Sequence, residues 1–164
     1  MNVSLRDVQD SDLSVLYAHH LDPEAVRMAA VPSRDWDAFK AHWAKIMTST
    51  SGISQIVIFD GSVAGHICCW QDSGDRLVGY WIAREYWGKG VASAALSEFL
   101  RQVIDRPLVA RVAKHNAASI RVLEKCGFII AGEGKFAQTD GGHGEEFVLK
   151  LDAHDSRTTD PATP

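Results

Sequence analysis

The chain has 164 residues, of which 46% are hydrophobic and 23% are charged, a balance typical of one globular domain with a single core. Its 21 acidic and 17 basic residues give a formal net charge of −4, and the basic residues form no run, which argues against nucleic acid as the main partner. Apolar runs are shorter than the ~20 residues of a membrane helix, and residues 1–10 lack the layout of a signal peptide. We therefore expect a cytoplasmic protein that does not bind membranes.

Cysteine and histidine usage argues against disulfides and metals. The three cysteines are an odd number, and Cys68 and Cys69 are adjacent on a predicted strand, where neighbouring side chains point to opposite faces. Cys126 precedes Gly127 in a helical pattern and is interpreted as a small buried hydrophobic residue. The seven histidines show no metal-ligand spacing, so we predict no metal site.

The first third of the chain predicts a strand followed by helices. Residues Val3–Val8 alternate apolar and polar side chains as a half-buried strand does. Asp10 or Ser11 is expected to cap a helix, and after Pro23 and Pro32, Ser33 is expected to cap a second one. The apolar residues of the second helix recur at helical spacing: Trp36, Phe39, Trp43, Ile46 and Met47.

The middle of the chain predicts an antiparallel meander. Three strand-like runs cover Ser54–Phe59, Val63–Trp70 and Arg76–Ile82. Asp60-Gly61 is a typical hairpin turn, and the polar residues Asp72–Asp75 form the second connection.

Helical and extended segments alternate in the last third. Helical periodicity over Gly90–Ile104 precedes a strand at Leu108–Val112, and a strand, helix, strand unit implies a parallel pair. Asn116–Cys126 is predicted to be a short helix that Gly127 ends. Strands are expected at Phe128–Ala131 and Glu146–Leu151 around the loop Asp140–Gly144, before a polar tail of residues 152–164 that is expected to be disordered.

A glycine-containing turn joins the third meander strand to the next helix. Gly88 and Gly90 flank Lys89 there, and the free amides at a helix N-terminus can bind a pyrophosphate that glycine lets approach. Simple turn geometry explains the same glycines and stays open. A Walker loop is excluded by Ala83 at its first position, and a Rossmann fingerprint by Ser93 in place of the third glycine. A site for coenzyme A remains.

Two segments carry a family resemblance. Tyr86–Ala92 resembles the acetyl-CoA loop of GNAT enzymes, and Asn116–Phe128 resembles their second CoA-side segment as found in the branch of Rim-type ribosomal-protein N-acetyltransferases. The resemblance implies an α/β fold with a mixed, mostly antiparallel sheet of about six to seven strands, flanked by helices, whose splayed parallel pair holds CoA. It implies one N-acetyltransferase domain over residues 1–151, which moves an acetyl group from acetyl-CoA to a primary amine.

The resemblance also implies the site residues. Those expected to bind the cofactor are Trp81, Ile82, Ala83, Trp87, Gly88, Lys89, Gly90, Val91, Ala92, Asn116 and Ser119. Ser119 is the expected acid for the CoA thiolate, because the branch resembled here places a serine at this point of the motif. Leu123, at the position where many members carry a tyrosine, cannot donate a proton. Capping of the helix explains Asn116 and Ser119 equally well. Glu85 replaces the Gln or Arg that many members carry near the phosphates.

The base and the acceptor are not determined by the sequence. Some members carry a glutamate where this chain has Gln138, and the alternative bases are Glu133, Asp140, His143, Glu145, His66 and Tyr80. An apolar acceptor wall of Trp36, Trp43, Trp70 and Phe136 is one possibility. The acceptor is either a protein N-terminus or a small-molecule amine. The protein is either a monomer or a homodimer. The two departures at 123 and 138 keep a second hypothesis open, namely an acyl-CoA-binding sensor with little turnover.

Overall fold

The computed structural model describes residues 2–31, 33–137 and 142–153. Short 3-10 turns lie at Asp10–Asp12 and Arg84–Tyr86. The helices are α1 (Leu13–His20), α2 (Pro23–Ala29), α3 (Trp36–Thr48), α4 (Val91–Gln102) and α5 (Ala117–Lys125). The strands are β1 (Val3–Asp7), β2 (Ile53–Phe59), β3 (Ser62–Asp72), β4 (Asp75–Ile82), β5 (Leu108–Ala113), β6 (Ile129–Ala137) and β7 (His143–Leu151).

The strands form one seven-stranded sheet in the order β1-β2-β3-β4-β5-β7-β6. The pair β4 and β5 is parallel and the other neighbours are antiparallel, so the predicted mixed α/β fold with its meander and its parallel pair is confirmed. The register of the parallel pair gives one residue pair in the described chain, Leu77 with Val109. Beyond this pair, the edge of β4 that faces β5 has no paired strand residue among those described, so it can line a cavity.

Hydrophobic residues cover both faces of the sheet. One cluster joins the strands to α4 and α5 and contains Leu96, Phe99 and Leu123, each no more than 1% exposed. The other contains Phe39 and Trp43 of α3, packed against the opposite face. The helices thus hold the sheet from two sides and fix the position of the strand ends.

The predicted helix starts need correction. Asp12, rather than Asp10 or Ser11, orders the start of α1: its carboxylate accepts hydrogen bonds from the Gln9 amide and from both terminal nitrogens of Arg6, all at 2.8 Å. Arg6 lies on β1, so a tertiary contact decides this start. The pKa of Asp12 is lowered mainly by its hydrogen bond from Arg6.

Two further differences concern α2 and α3. Pro23 is the first residue of α2, a helix that the sequence analysis did not predict, and the Asp22 carboxylate accepts from the Glu24 amide at 3.1 Å. Proline suits the first helical position, because the missing N–H has no helical partner there. Asp35, not Ser33, caps α3, and its carboxylate accepts from the Ala38 amide at 2.8 Å. Aspartate next to the first helical residue is the better-placed acceptor.

Strands β6 and β7 are longer than predicted. Gly132 and Gly134 interrupt the apolar pattern and favour a loop, yet β6 continues through them to Ala137. A Cβ at Gly134 would lie 3.1 Å from a carboxylate oxygen of Glu146 on β7, so the glycine accommodates a buried acid across the strand pair. The centre of the predicted loop, residues 138–141, and residues 154–164 of the tail lie outside the described residues.

Glycine also shapes the end of β4. Gly65 on β3 is paired with Ile82, and a Cβ there would overlap the carbonyl group of Trp81. The strands β3 and β4 approach closely at this point because residue 65 has no side chain.

Candidate active site

A cavity of about 430 Å³ opens beside the free end of β4. Its walls come from α2, the end of β4, the turn after β4, the first turn of α4, and α5. The volume is in the range of sites for small organic ligands. The cavity has three regions with different chemistry.

The first region is the N-terminus of α4. Gly88 and Gly90 have φ angles of 75° and 77°, a left-handed conformation that glycine adopts without strain. The first hydrogen bond of the helix runs from the Ala94 amide to the Gly90 carbonyl at 3.1 Å, so the amides of the three residues between them precede it. Gly88, Gly90, Val91, Ala92 and Ser93 line the cavity. The turn geometry and an anion site therefore coincide here.

Two cations lie on the facing helix. Arg121 and Lys125 are four residues apart on α5 and line the same cavity, so both point from one side of the helix. Together with the amides of α4 they create a positive region suited to phosphate groups.

The second region is a pair of hydroxyl groups. Tyr80 Oη on β4 and Ser119 Oγ on α5 lie 2.7 Å apart, and both residues line the cavity. The Ser119 amide donates to Asn116 Oδ1 at 3.2 Å, so Asn116 caps α5 and also lines the cavity. Burial raises the pKa of Tyr80 to about 12. The phenol is therefore protonated at neutral pH and can donate a hydrogen bond.

Two tryptophans define the end of β4. The Trp87 indole N–H donates to the Ile82 carbonyl at 2.8 Å and ties the turn to the strand it follows. The Trp81 ring stacks on His20 with a centroid distance of 3.8 Å and an interplanar angle of 16°. Both residues line the cavity, and their side chains hold the strand end from two directions.

The third region is formed by α2. Ala25, Met28 and Ala29 line the cavity, and the helix is attached to the loop after β5 by a hydrogen bond of 2.7 Å between the His115 ring and the Arg27 carbonyl. Within the described part of the chain, no carboxylate lines the cavity. This end is apolar.

The carboxylates of Glu24 on α2 and of its N-cap Asp22 are already paired with arginines. Asp22 lies 3.4 Å from Arg84, and Glu24 lies 2.6 Å from Arg27. The apolar end of the cavity is therefore not a strongly anionic surface.

Histidines lie behind Trp81. His66 Nε2 is 3.4 Å from His20 Nε2. The His66 and Trp43 rings are nearly perpendicular, with their centroids 4.9 Å apart. Burial lowers the pKa of His20 to about 4 and that of His66 to about 3, with smaller contributions from neighbouring cationic groups. Both rings are neutral at physiological pH.

This histidine pair makes stability depend on pH. Histidine in the unfolded chain binds a proton below a pKa of about 6.5, whereas the folded pair does so only below about 4. The contribution of the pair to the free energy of unfolding should therefore be full above about pH 7.5 and fall by about 1–2 kcal/mol per histidine between pH 7 and pH 5. Urea unfolding at both pH values measures this fall.

Two glutamine variants isolate the contribution of the pair. His20→Gln keeps a polar partner for His66 without a titrating ring, and the fall between pH 7 and pH 5 should shrink by about 1–2 kcal/mol. His143→Gln, on the exposed start of β7, should leave the fall unchanged. An unchanged pH dependence in His20→Gln contradicts the assignment.

Comparison with known sequences identifies the family. Residues 2–129 match the family described as "Acetyltransferase (GNAT) domain". The chain belongs to this GNAT family. The resemblance predicted from the two motifs is therefore confirmed, and the chain carries an acetyltransferase domain.

Known relatives of this GNAT domain include "Putative ribosomal N-acetyltransferase YdaF" of Bacillus subtilis (strain 168), 31% identical over 100 residues. That match covers 57% of this chain and 55% of the relative, so the chain spans about half the length of the curated relative it matches. The relative's name agrees with the predicted Rim-type branch.

Solved structures share the fold. Spermidine N-acetyltransferase from Vibrio cholerae, in complex with CoA and spermine, is 16% identical with a TM-score of 0.79, covering 92% of this chain and 95% of that one. Mycobacterium smegmatis RimJ, in complex with CoA-disulfide, is 22% identical with a TM-score of 0.75, and the match covers 92% of this chain and 82% of that one.

The GNAT fold brings most of the predicted cofactor residues to one cavity. Those in its lining are Trp81, Ile82, Trp87, Gly88, Gly90, Val91, Ala92, Asn116 and Ser119. Ala83 is not among them, because it is 4% exposed and its amide donates to the Ala64 carbonyl at 2.8 Å. Lys89 is also outside the lining, and its ammonium group lies 5.9 Å from the centre of the Tyr86 ring.

Several lining residues were not predicted. They are Ala25, Met28, Ala29, Tyr86, Ser93, Ala118, Arg121, Val122 and Lys125. Four of them form one face of α5 at spacings of three and four residues, and this periodicity after Asn116 is the signal that could have found them. The contribution of α2 has no such signal, since that helix was itself missed.

Of the predicted bases that lie in the described residues, Tyr80 alone lines the cavity. Glu133 and Glu145 lie 3.0 and 3.3 Å from Lys114, outside the lining. His143 and His66 are also outside it, and Gln138 and Asp140 lie outside the described residues.

The expected acceptor wall is likewise not formed. Trp43 is 1% exposed in the core, Trp36 and Trp70 are on the surface, and Phe136 is on β6. None of these four residues lines the cavity. The apolar residues that do so belong to α2 and to the end of β4.

Residues 2–31, 33–137 and 142–153 contain neither a metal-ligating cluster nor a helix that could span a bilayer. No cluster of three or more His, Cys, Asp or Glu side chains is arranged to hold a metal ion. No helix combines the length and the hydropathy that a bilayer span requires.

Proposed function

We propose that this GNAT domain is an acetyl-CoA-dependent N-acetyltransferase that acts on a primary amine. One observation carries the proposal: a single cavity joins the free amides of α4, two cations of α5 and the hydroxyl of Ser119 at the open end of β4. When bound, acetyl-CoA supplies an activated acetyl group, so that a C–N bond forms to the amine, the C–S bond breaks, and the sulfur gains a proton.

The chemistry of the cavity fits the two ends of that molecule. The amides of Val91, Ala92 and Ser93, with Arg121 and Lys125, would hold the phosphates. The pantetheine arm would lie along the edge of β4 that faces β5, beyond the pair of Leu77 with Val109. Backbone groups there can bind it, and a backbone N–H can stabilise negative charge on the acetyl oxygen. Ser119 Oγ would donate a hydrogen bond to the departing sulfur.

The amine must lose its proton before it attacks. Of the candidate bases in the described residues, Tyr80 alone lines the cavity. Its pKa of about 12 keeps it protonated near neutral pH, so we assign deprotonation to solvent. An α-amine has a pKa of about 8 and a lysine side chain one of about 10.4, so the α-amine offers more of the neutral form near pH 7.

The apolar end at α2 favours an acceptor with one amine. Ala25, Met28 and Ala29 offer no countercharge, and Asp22 and Glu24 are already paired with arginines. A second ammonium group would be desolvated there without a partner. A peptide N-terminus therefore fits this end better than a polyamine does.

Binding and turnover test the proposal in one protein sample. Saturating acetyl-CoA should raise the melting temperature, because a ligand of the folded state stabilises it by mass action, whereas ATP and NAD should not. Acetyl-CoA consumption measured over a panel of amines should be fastest with peptides that carry a free α-amine, and at least about tenfold slower with spermidine at pH 7.

Three outcomes contradict parts of this assignment. A thermal shift with ATP or NAD and none with acetyl-CoA rejects the cofactor. A shift without consumption on any amine favours the acyl-CoA-binding sensor. Preference for spermidine over peptides rejects the acceptor class and leaves the reaction intact.

A further inference from the structure

The usual position for a proton donor on α5 is closed in this protein. Leu123, where the family resemblance leads one to expect a tyrosine, is 1% exposed and packs in the core beside α4. It does not line the cavity. The hydroxyl-bearing residues in the described lining are Tyr80, Tyr86, Ser93 and Ser119. Tyr80 and Ser119, on two different elements, are hydrogen-bonded to each other.

Resting on the proposed function, we infer that Tyr80 is a positioning residue that directs the hydroxyl hydrogen of Ser119 toward the departing sulfur. The 2.7 Å separation of Tyr80 Oη and Ser119 Oγ requires one of the two groups to donate. A serine hydroxyl has one hydrogen and two lone pairs. If the phenol donates to Ser119 Oγ, the serine hydrogen is left for a third partner.

Chemistry favours that direction of donation. A phenol is more acidic than an aliphatic alcohol and is the better hydrogen-bond donor of the two. Burial keeps Tyr80 protonated, since it raises the pKa of the phenol to about 12. In a buried chain of hydrogen bonds, each donor polarises the next, so the bond from Tyr80 strengthens the one that Ser119 offers.

The backbone of Ser119 is held at its amide and at its carbonyl group, whose oxygen lies 3.4 Å from Tyr80 Oη. Its amide donates to Asn116 Oδ1 at 3.2 Å, which anchors the first turn of α5. The bond between Ser119 and Asn116 does not involve Tyr80, whereas the bond from Tyr80 to Ser119 Oγ restricts rotation of the serine hydroxyl. Loss of the phenol oxygen should therefore affect the direction of one hydrogen without displacing the helix.

A donor aimed at the sulfur stabilises the thiolate over the thiol, so it lowers the pKa of bound CoA. That pKa is measurable without turnover, by titrating the protein–CoA complex and following the ultraviolet absorbance of the thiolate. In Tyr80→Phe we expect the pKa of bound CoA to rise by about one unit, the value of one hydrogen bond. The CoA dissociation constant should stay within about twofold, and kcat should fall about tenfold.

A double-mutant cycle decides whether Tyr80 acts through Ser119. In a Ser119→Ala background, Tyr80→Phe should change neither the thiol pKa nor kcat further. Tyr17→Phe removes the same atom from the aromatic cluster outside the cavity and should leave both unchanged. Melting temperatures of all variants report on folding.

The outcomes separate this inference from the proposed function. If CoA does not bind the parent protein, the proposed function fails. If CoA binds and its thiol titrates equally in the parent and in Tyr80→Phe, the positioning role is wrong and the proposed function stands. Additive effects of Tyr80→Phe and Ser119→Ala also overturn it, because Tyr80 would then act without Ser119.

Discussion

Ser93→Asp is expected to weaken CoA binding about 100-fold, because it places a carboxylate a few ångströms from the proposed phosphate site. Ser93 is the third residue of α4 and lines the cavity. The same carboxylate lies at the positive end of the helix, so it should stabilise the free protein by about 0.3–1 kcal/mol. Calorimetric titration with CoA and melting of the free protein measure the two opposite effects.

Ser93→Asn is the matched control, with nearly the same shape and no charge. It should bind CoA within about threefold of the parent, so the difference between the two variants isolates the charge. Equal affinities of the two variants for CoA would place the phosphates elsewhere. Gly90 is less suited to this test, because its φ of 77° makes any side chain strained whether or not an anion binds.

Ser119→Ala is expected to lower kcat about 100-fold, the lower range for loss of a positioned proton donor. The CoA dissociation constant should change little, since the hydrogen bond to sulfur forms fully only as the C–S bond breaks. The alanine retains the amide that donates to Asn116. The melting temperature should therefore match that of the parent.

Asn116→Ala provides the structural comparison for this serine. It removes the side chain that caps α5 and should lower the stability by about 1 kcal/mol. If Ser119→Ala also melts early and loses CoA affinity and kcat in proportion, Ser119 is part of the cap and not the donor. Steady-state kinetics beside thermal melting of both variants distinguish these cases.

The sequence predicted those parts of the fold that depend on local periodicity and glycine. Alternation over Ser54–Ile82 specified the meander, and helical spacing after Gly90 and Asn116 specified α4 and α5. These signals are local, because they arise from which side chains one strand or helix must bury.

The missed features depend on partners far away in the sequence. Arg6 of β1 selects Asp12 at the start of α1, and Glu146 of β7 lies against Gly134 of β6. Ala83 is adjacent to the glycine turn in sequence, yet its amide bonds to β3. No pattern within a short window of residues contains these contacts.

The sequence predicted the part of the candidate site that is made of backbone groups. It did not predict the part made of side chains that different elements bring to the cavity. Gly88 and Gly90 mark the turn because a left-handed φ needs glycine. The role of Tyr80 depends on how β4 and α5 are placed relative to each other. The sequence therefore offers Tyr80 as a possible base, whereas its contact with Ser119 supports the proposed role of hydrogen-bond donor.

The burial of Leu123 limits how this protein can change over evolution. One side of α5 faces the cavity and the other faces the core, so substitutions that alter chemistry and those that alter packing fall at different positions. A tyrosine at position 123 would have to displace core side chains before it could offer a proton, and overpacking a core costs about 1–3 kcal/mol. A single substitution to tyrosine at position 123 would therefore bring a donor to the cavity only with such a rearrangement of the core, whereas position 119 already places a hydroxyl on the cavity side of the helix.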